Sequence, residues 1–228
     1  MRVFDSTAGQ KLPFSTSRGL SVPKAATRSE IFIAAAFMAV WIWSAINPVK
    51  FSDWCMENVL VVFVAGLMFV LRHYFRISTF SLALIAIFLS LHEVGAHYVY
   101  DNVPFGFWLK DTFHLHRNDY DRIVHFAFGV CWSYVIREMY IQLPHPRGFL
   151  TYYVPVIHVL ALSAIYEIIE AYTAQADPKM AASFVGMQGD LFDSQRDMLC
   201  AGVGAVLLMI ATACYSAMRH RNRRLVRA

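Results

Sequence analysis

Apolar residues gather in six long stretches, near residues 30–47, 56–75, 77–97, 121–143, 150–171 and 194–218, separated by shorter segments that hold most of the charge. Each stretch approaches the roughly 20 residues that a helix needs to cross about 30 Å of hydrocarbon. Lipid offers no partner to a bare peptide group, so an isolated apolar run of this length is expected to be helical. The pattern therefore predicts an all-α polytopic membrane protein with six transmembrane helices in one bundle. Residues 30–218 form that bundle, flanked by a basic tail at 1–29 and a second at 219–228.

Composition agrees with the pattern. Of 228 residues, 57% are hydrophobic and 16% charged, with a mean hydropathy of +0.45, too apolar for an ordinary soluble domain. The expected partner is the lipid bilayer, and no nucleic-acid partner is expected. The segment "MRVFDSTAGQKLPFSTSRGLSVPKAATRS" lacks the apolar core and small-residue cleavage site of a signal peptide, so it reads as a mobile cytoplasmic tail. Cys55, Cys131, Cys200 and Cys214 have no paired spacing and read mainly as small apolar fillers.

Lys and Arg are retained on the cytoplasmic side of a membrane. The two tails and the second-to-third and fourth-to-fifth connections hold fourteen of them, including Arg72, Arg76, Arg137 and Arg147; the other connections and helix starts hold six. Both termini are thus expected in the cytoplasm, in a bacterial inner membrane.

That topology brings the end of the third span, the start of the fourth, the end of the fifth and the start of the sixth to the outer face. Unusual residues crowd these four ends. "LSLHEVGAHYVY" supplies Glu93 and His97, four apart on one helical face, with His92 turned roughly 100° away. "YDRIVHF" repeats the spacing with Asp121 and His125. "YEIIEAY" offers Glu167 and Glu170, and "GDLFDSQRDM" offers Asp193 and Asp197, with Asp190 one turn earlier. Six carboxylates cannot all stay ionised at reduced dielectric without compensation. Arg122 and Arg196 offset two, which leaves protons, water or a cation for the rest. A set of carboxylates and imidazoles suits Zn, Mn or Fe. The ligands expected for such a divalent metal are Glu93, His97, Asp121, His125, Glu170 and Asp197. Glu167 or Asp193 would then serve as general base, and Arg122 and Arg196 would hold a phosphate or carboxylate. Taken singly, each has a plainer reading, such as a helix cap or a solvated histidine.

Other features are expected to be structural. "VPFGFWLKDTFHLHRNDY", residues 103–120, reads as an outer connection whose aromatics join an interfacial belt, with His114 and His116 solvated. Pro155 is expected to kink the fifth span, His158 to be satisfied inside the bundle, and Gly202 and Gly204 to allow close helix approach.

The succession "LHEVGAHYVYDNVPFGFW", "RNDYDRIVHFAFG", "YEIIEAY" and "MQGDLFDSQRDMLCAGVGA" resembles the YjdF-like bacterial inner-membrane proteins over about residues 30–218. A shorter pattern, Asp121, His125, Glu167, Gln188 or Gln195, and Asp197, is similar to VanZ-like proteins, associated with glycopeptide resistance. The first resemblance implies an integral inner-membrane protein; neither supplies a reaction. Three functions fit the residues: a hydrolase or transferase acting on a lipid or lipid-linked envelope substrate, a transporter or flippase, and a non-catalytic VanZ-like envelope protein. Mid-membrane polar groups, which alternating access normally uses, are sparse, and this favours the first.

Overall fold

The computed structural model describes residues 26–146, 148–176, 188 and 190–225. Among these, seven helices and no strand occur: α1 Arg28–Ser44, α2 Phe51–Leu71, α3 Thr79–Tyr98, α4 Pro104–Phe113, α5 Tyr120–Tyr140, α6 Leu150–Ala176 and α7 Asp193–Leu225. The N-terminal tail expected to be mobile lies outside the described residues, apart from Ala26 onward.

Local chemistry explains the helix ends. Thr27 and Glu30 close a reciprocal capping box on α1, each side chain accepting from the other's backbone N–H. Ser78 caps α3 by accepting from Ser81 N at 3.2 Å. At its far end α3 unwinds through Val99 and Tyr100, both at positive φ, and the Tyr100 N–H donates to Gly95 O at 2.8 Å. Pro104 opens α4, where its missing N–H costs nothing, and His114 in the left-handed region ends it. Residues 103–120, expected as a plain connection, therefore contain a helix. Phe105, Phe107, Trp108 and Phe113 of α4 are exposed, as an interfacial belt requires. His114 and His116 are exposed too.

Four helices are long and apolar enough to cross a membrane: Phe51–Leu71, Thr79–Tyr98, Leu150–Thr173 and Asp193–Arg219. The two other expected spans differ for definable reasons. With 17 residues, α1 is about 26 Å long, slightly shorter than the hydrocarbon layer. In contrast, α5 is long enough but carries Asp121, Arg122, Arg137 and Glu138 near its two ends.

The bundle is centred on α5, which packs against α7, α6 and α3; α1 and α2 lean on α3. Contact between α5 and α7 is backbone-close. A Cβ on Gly129 would lie 1.9 Å from Ala201 O, and one on Gly204 would lie 2.4 Å from Phe126 O. Gly204 thus plays the expected part, whereas a Cβ on Gly202 would meet only the Leu160 side chain. Val135, Val159, Ala201 and Ala205 are fully enclosed in the core between these helices. The outward faces carry exposed Phe32, Val62, Phe63, Leu207 and Ile210, a surface suited to lipid tails. The helix continues through Pro155. His158 faces outward, not into the bundle, and its Nδ1 lies 2.9 Å from Val154 O in its own helix.

Candidate metal and anion site

Spacing on α5 places Asp121 and His125 one above the other, and the tight α5–α7 contact brings Asp197 to meet them. One ligand atom from each of the three lies within 4.8 Å of the other two. Glu167 of α6 adds a fourth side, its Oε1 3.5 Å from His125 Nε2; Asp121 Oδ1 stands 3.6 Å from the same nitrogen. His125, Glu167 and Asp197 are buried, and Asp197 Oδ1 and Glu167 Oε1 have no hydrogen-bond partner. A buried carboxylate oxygen left without a donor is costly. Asp121, His125 and Asp197 together form a donor set that a small cation would satisfy, with Glu167 beside His125. Glu170, half-buried one turn on from Glu167, lies within electrostatic reach of Asp121, Glu167 and Asp197.

An ion-pair network adjoins this cluster where α5 and α7 begin. Arg117 pairs with Asp193 and stands 3.4 Å from Asp119. Arg122 donates to Asp119 at 2.8 Å and to Asp190 at 2.7 Å, and lies 3.6 Å from Asp193. Arg196 donates to the same oxygen of Asp190 at 2.5 Å. Asn118 ties the neighbouring loop together: its Nδ2 donates to the carbonyls of Asp101 and Val103, and its Oδ1 accepts from Tyr120 N. Gln188 completes the tie, donating to Asp101 Oδ1 at 2.7 Å and Asn118 O at 2.9 Å while accepting from Asn118 N. Burial pushes the Asp101 carboxyl up to about 6 against the pull of Gln188 and Arg117. The Phe192 N–H, with the nearby arginines, holds Asp190 below the usual carboxylate range.

Other expected site residues are engaged elsewhere at the same end of the bundle. Glu93 accepts from Ser44 Oγ of α1, and its Oε1 is buried without a partner. His97 Nδ1 lies 2.9 Å from Ser44 O, and its ring stacks on Trp43. His92 is enclosed between Tyr100, whose hydroxyl is 2.6 Å from Nδ1, and Glu57, whose carbonyl is 3.1 Å from Nε2. Burial pushes the Tyr100 hydroxyl well above its usual range. Gln195 is exposed.

Sequence reasoning passed over Asp53 and Glu57. They carry the same four-residue spacing as Glu93/His97, Asp121/His125 and Asp193/Asp197, but a span drawn from residue 56 hides it, whereas α2 starts at Phe51. Glu57 accepts from the Tyr166 hydroxyl at 3.0 Å, and the Tyr166 ring packs edge-on against His125. This links α2 to the α5–α7 cluster.

A family model described as "Predicted membrane protein (DUF2238)" matches residues 30–218. The chain belongs to this family. The match spans every helix of the bundle and the whole acidic end, stopping short only at the terminal segments. Inner membrane protein YjdF of Escherichia coli (strain K12) is 31% identical over 190 residues, covering 83% of this chain and 91% of that protein. The YjdF-like resemblance is thereby shown; neither match is to a VanZ-like protein. No solved structure matches the chain.

Proposed function

We propose that this DUF2238 member is an inner-membrane metalloprotein whose site lies at the periplasmic ends of its helices. In this reading α1 and α5 also cross the bilayer, giving six spans with both termini in the cytoplasm. The outward-facing apolar residues of α1 and the central place of α5 in the bundle support this. So does the excess of Lys and Arg in the tails and in the connections on their side.

The observation that carries the metal is the meeting of Asp121, His125 and Asp197, with Asp197 Oδ1 buried and unpartnered. Two carboxylates and one imidazole suit Zn, Mn or Fe. Three protein ligands leave a coordination position open, the mark of a catalytic centre in preference to a structural one. Glu167, beside His125, is placed to act as general base, and Arg122 and Arg196 stand by for an anionic group. A metal here would act as a Lewis acid and lower the pKa of a bound water. We read the substrate as a lipid or lipid-linked envelope molecule, because the cluster lies where α5 and α7 begin and exposed aromatic residues of α4 lie in the adjoining connection. Glu93 and His97, turned toward α1, support this end of the bundle and do not join the ligand set.

The test is elemental analysis of protein purified in mild detergent. About one equivalent of a first-row metal is expected in the wild type and little in Asp121→Ala. Equal metal in both, or none in either, removes the proposal.

A further inference from the structure

We propose that Asp190 is a built-in stand-in for a phosphate group, occupying an arginine fork that receives the phosphate of the substrate. The inference rests on the metal reading above and names the substrate class. A single oxygen, Asp190 Oδ2, takes one N–H from Arg122 at 2.7 Å and one from Arg196 at 2.5 Å. Two guanidinium groups converging on one anionic oxygen is the arrangement by which proteins bind phosphate. The other oxygen accepts from Phe192 N at 3.1 Å, so the segment before α7 delivers the carboxylate into the fork.

Three further observations separate this from a plain surface ion pair. Arg122 Nε is buried with no hydrogen-bond partner, so the fork has a donor that Asp190 does not use. Arg122 directly follows the metal ligand Asp121 on α5 and Arg196 directly precedes the ligand Asp197 on α7, so both arginines lie at the same depth as the ligands, on the neighbouring face of each helix. The unpartnered oxygen of Asp197 calls for a cation in the adjoining cluster. A phosphate that replaced Asp190 would bring more oxygens to the two arginines than the single oxygen Asp190 presents to them. Asp190 therefore keeps the fork ordered and filled until an anion with more oxygens displaces it.

Two sources of phosphate share this chemistry: free inorganic phosphate and the headgroup of an anionic lipid. Full-length protein is titrated with inorganic phosphate by calorimetry. In parallel it is placed in phosphatidylcholine nanodiscs with and without phosphatidate, and its thermal midpoint is read. Removing a competitor that fills the fork about nine-tenths of the time tightens apparent binding about tenfold. Asp190→Asn is expected to give that gain. Asp190→Ser, whose hydroxyl can still accept from Phe192 N–H, repeats the test with the backbone contact kept. Arg196→Gln, at an exposed position that tolerates change, is expected to weaken binding about tenfold through loss of one charged hydrogen bond. A gain with inorganic phosphate assigns the free ion, and a gain only with phosphatidate assigns the lipid; both support the proposal. Equal response of the wild type and both Asp190 variants to each probe, or undiminished response in Arg196→Gln, overturns it. Metal content is measured on the same samples. Bound metal without a phosphate response sinks this inference alone, and a phosphate response without metal sinks the metal reading alone.

Discussion

Asp197→Asn is the substitution whose sign depends on whether a cation is bound. The side chain is 2% exposed and its Oδ1 has no partner. Its ligand atom lies within 4.8 Å of that of Asp121, a separation at which two ionised carboxylates repel by about 3.5 kcal/mol at an effective dielectric near 20. Asparagine keeps the shape and removes one charge. At about 2–4 °C per kcal/mol for a chain of this length, the variant in chelator is therefore expected to unfold above the wild type by up to about 7–14 °C, less whatever a proton on either carboxylate already relieves. Zinc reverses the order. At about a hundredfold excess over its dissociation constant, a ligand that binds only the folded state stabilises it by about 2.7 kcal/mol. The variant, short of a charged ligand, should lose most of that gain. Midpoints are read in detergent by fluorescence-detected size exclusion, with EDTA and with zinc. A variant destabilised equally in both conditions would show that Asp197 is an ordinary buried polar residue with a structural role, and the electrostatic reasoning would be refuted.

Gly129→Ala is expected to destabilise the bundle at the upper end of the roughly 1–3 kcal/mol typical of overpacking, because its Cβ would meet the backbone oxygen of Ala201 at 1.9 Å; an unchanged midpoint refutes the close α5–α7 contact. Glu93→Gln is expected to leave metal content unchanged, since Glu93 is held by Ser44; metal loss on elemental analysis would return it to the ligand set. Asp101, raised from 3.8 to about 6, holds its proton more tightly folded than unfolded, so its contribution to stability is full below pH ~4 and is lost as pH rises through about 6. Asp101→Asn should flatten that part of the stability profile, and parallel profiles for variant and wild type would assign the slope to another group. A cysteine introduced at exposed Asp111, with the four native cysteines replaced, is expected to react with an impermeant maleimide from the periplasmic side; reaction only after the cells are opened reverses the topology.

The chain's helices were legible because lipid-facing helices are written as unbroken apolar runs, and the DxxxH of α5 was legible because a four-residue step repeats a helical face. The meeting of α5 with α7 was half legible. Gly204 signalled it, but Gly129, which makes the closer approach, sits in an ordinary stretch, "HFAFGVCW", and nothing local marks it as an interface. Partner choice within the acidic end was not legible at all. Glu93 and His97 share a helical face as the spacing requires, yet that face meets Ser44 of α1, and no pattern within α3 records which helix lies opposite. Asp190 and Gln188 are likewise placed by long-range contacts with Arg122 and Asn118. The amphipathic α4 was obscured by its length, since ten residues make too short a period to stand out from a connection rich in aromatics.

The most direct measurement is zinc K-edge X-ray absorption on zinc-loaded wild type and His125→Gln. A first shell of nitrogen and oxygen at about 2.0–2.2 Å is expected, with the outer-shell signature of a single imidazole that is absent from the variant. An all-oxygen aquo-like shell in the wild type, or an imidazole signature that survives His125→Gln, would contradict the metal site.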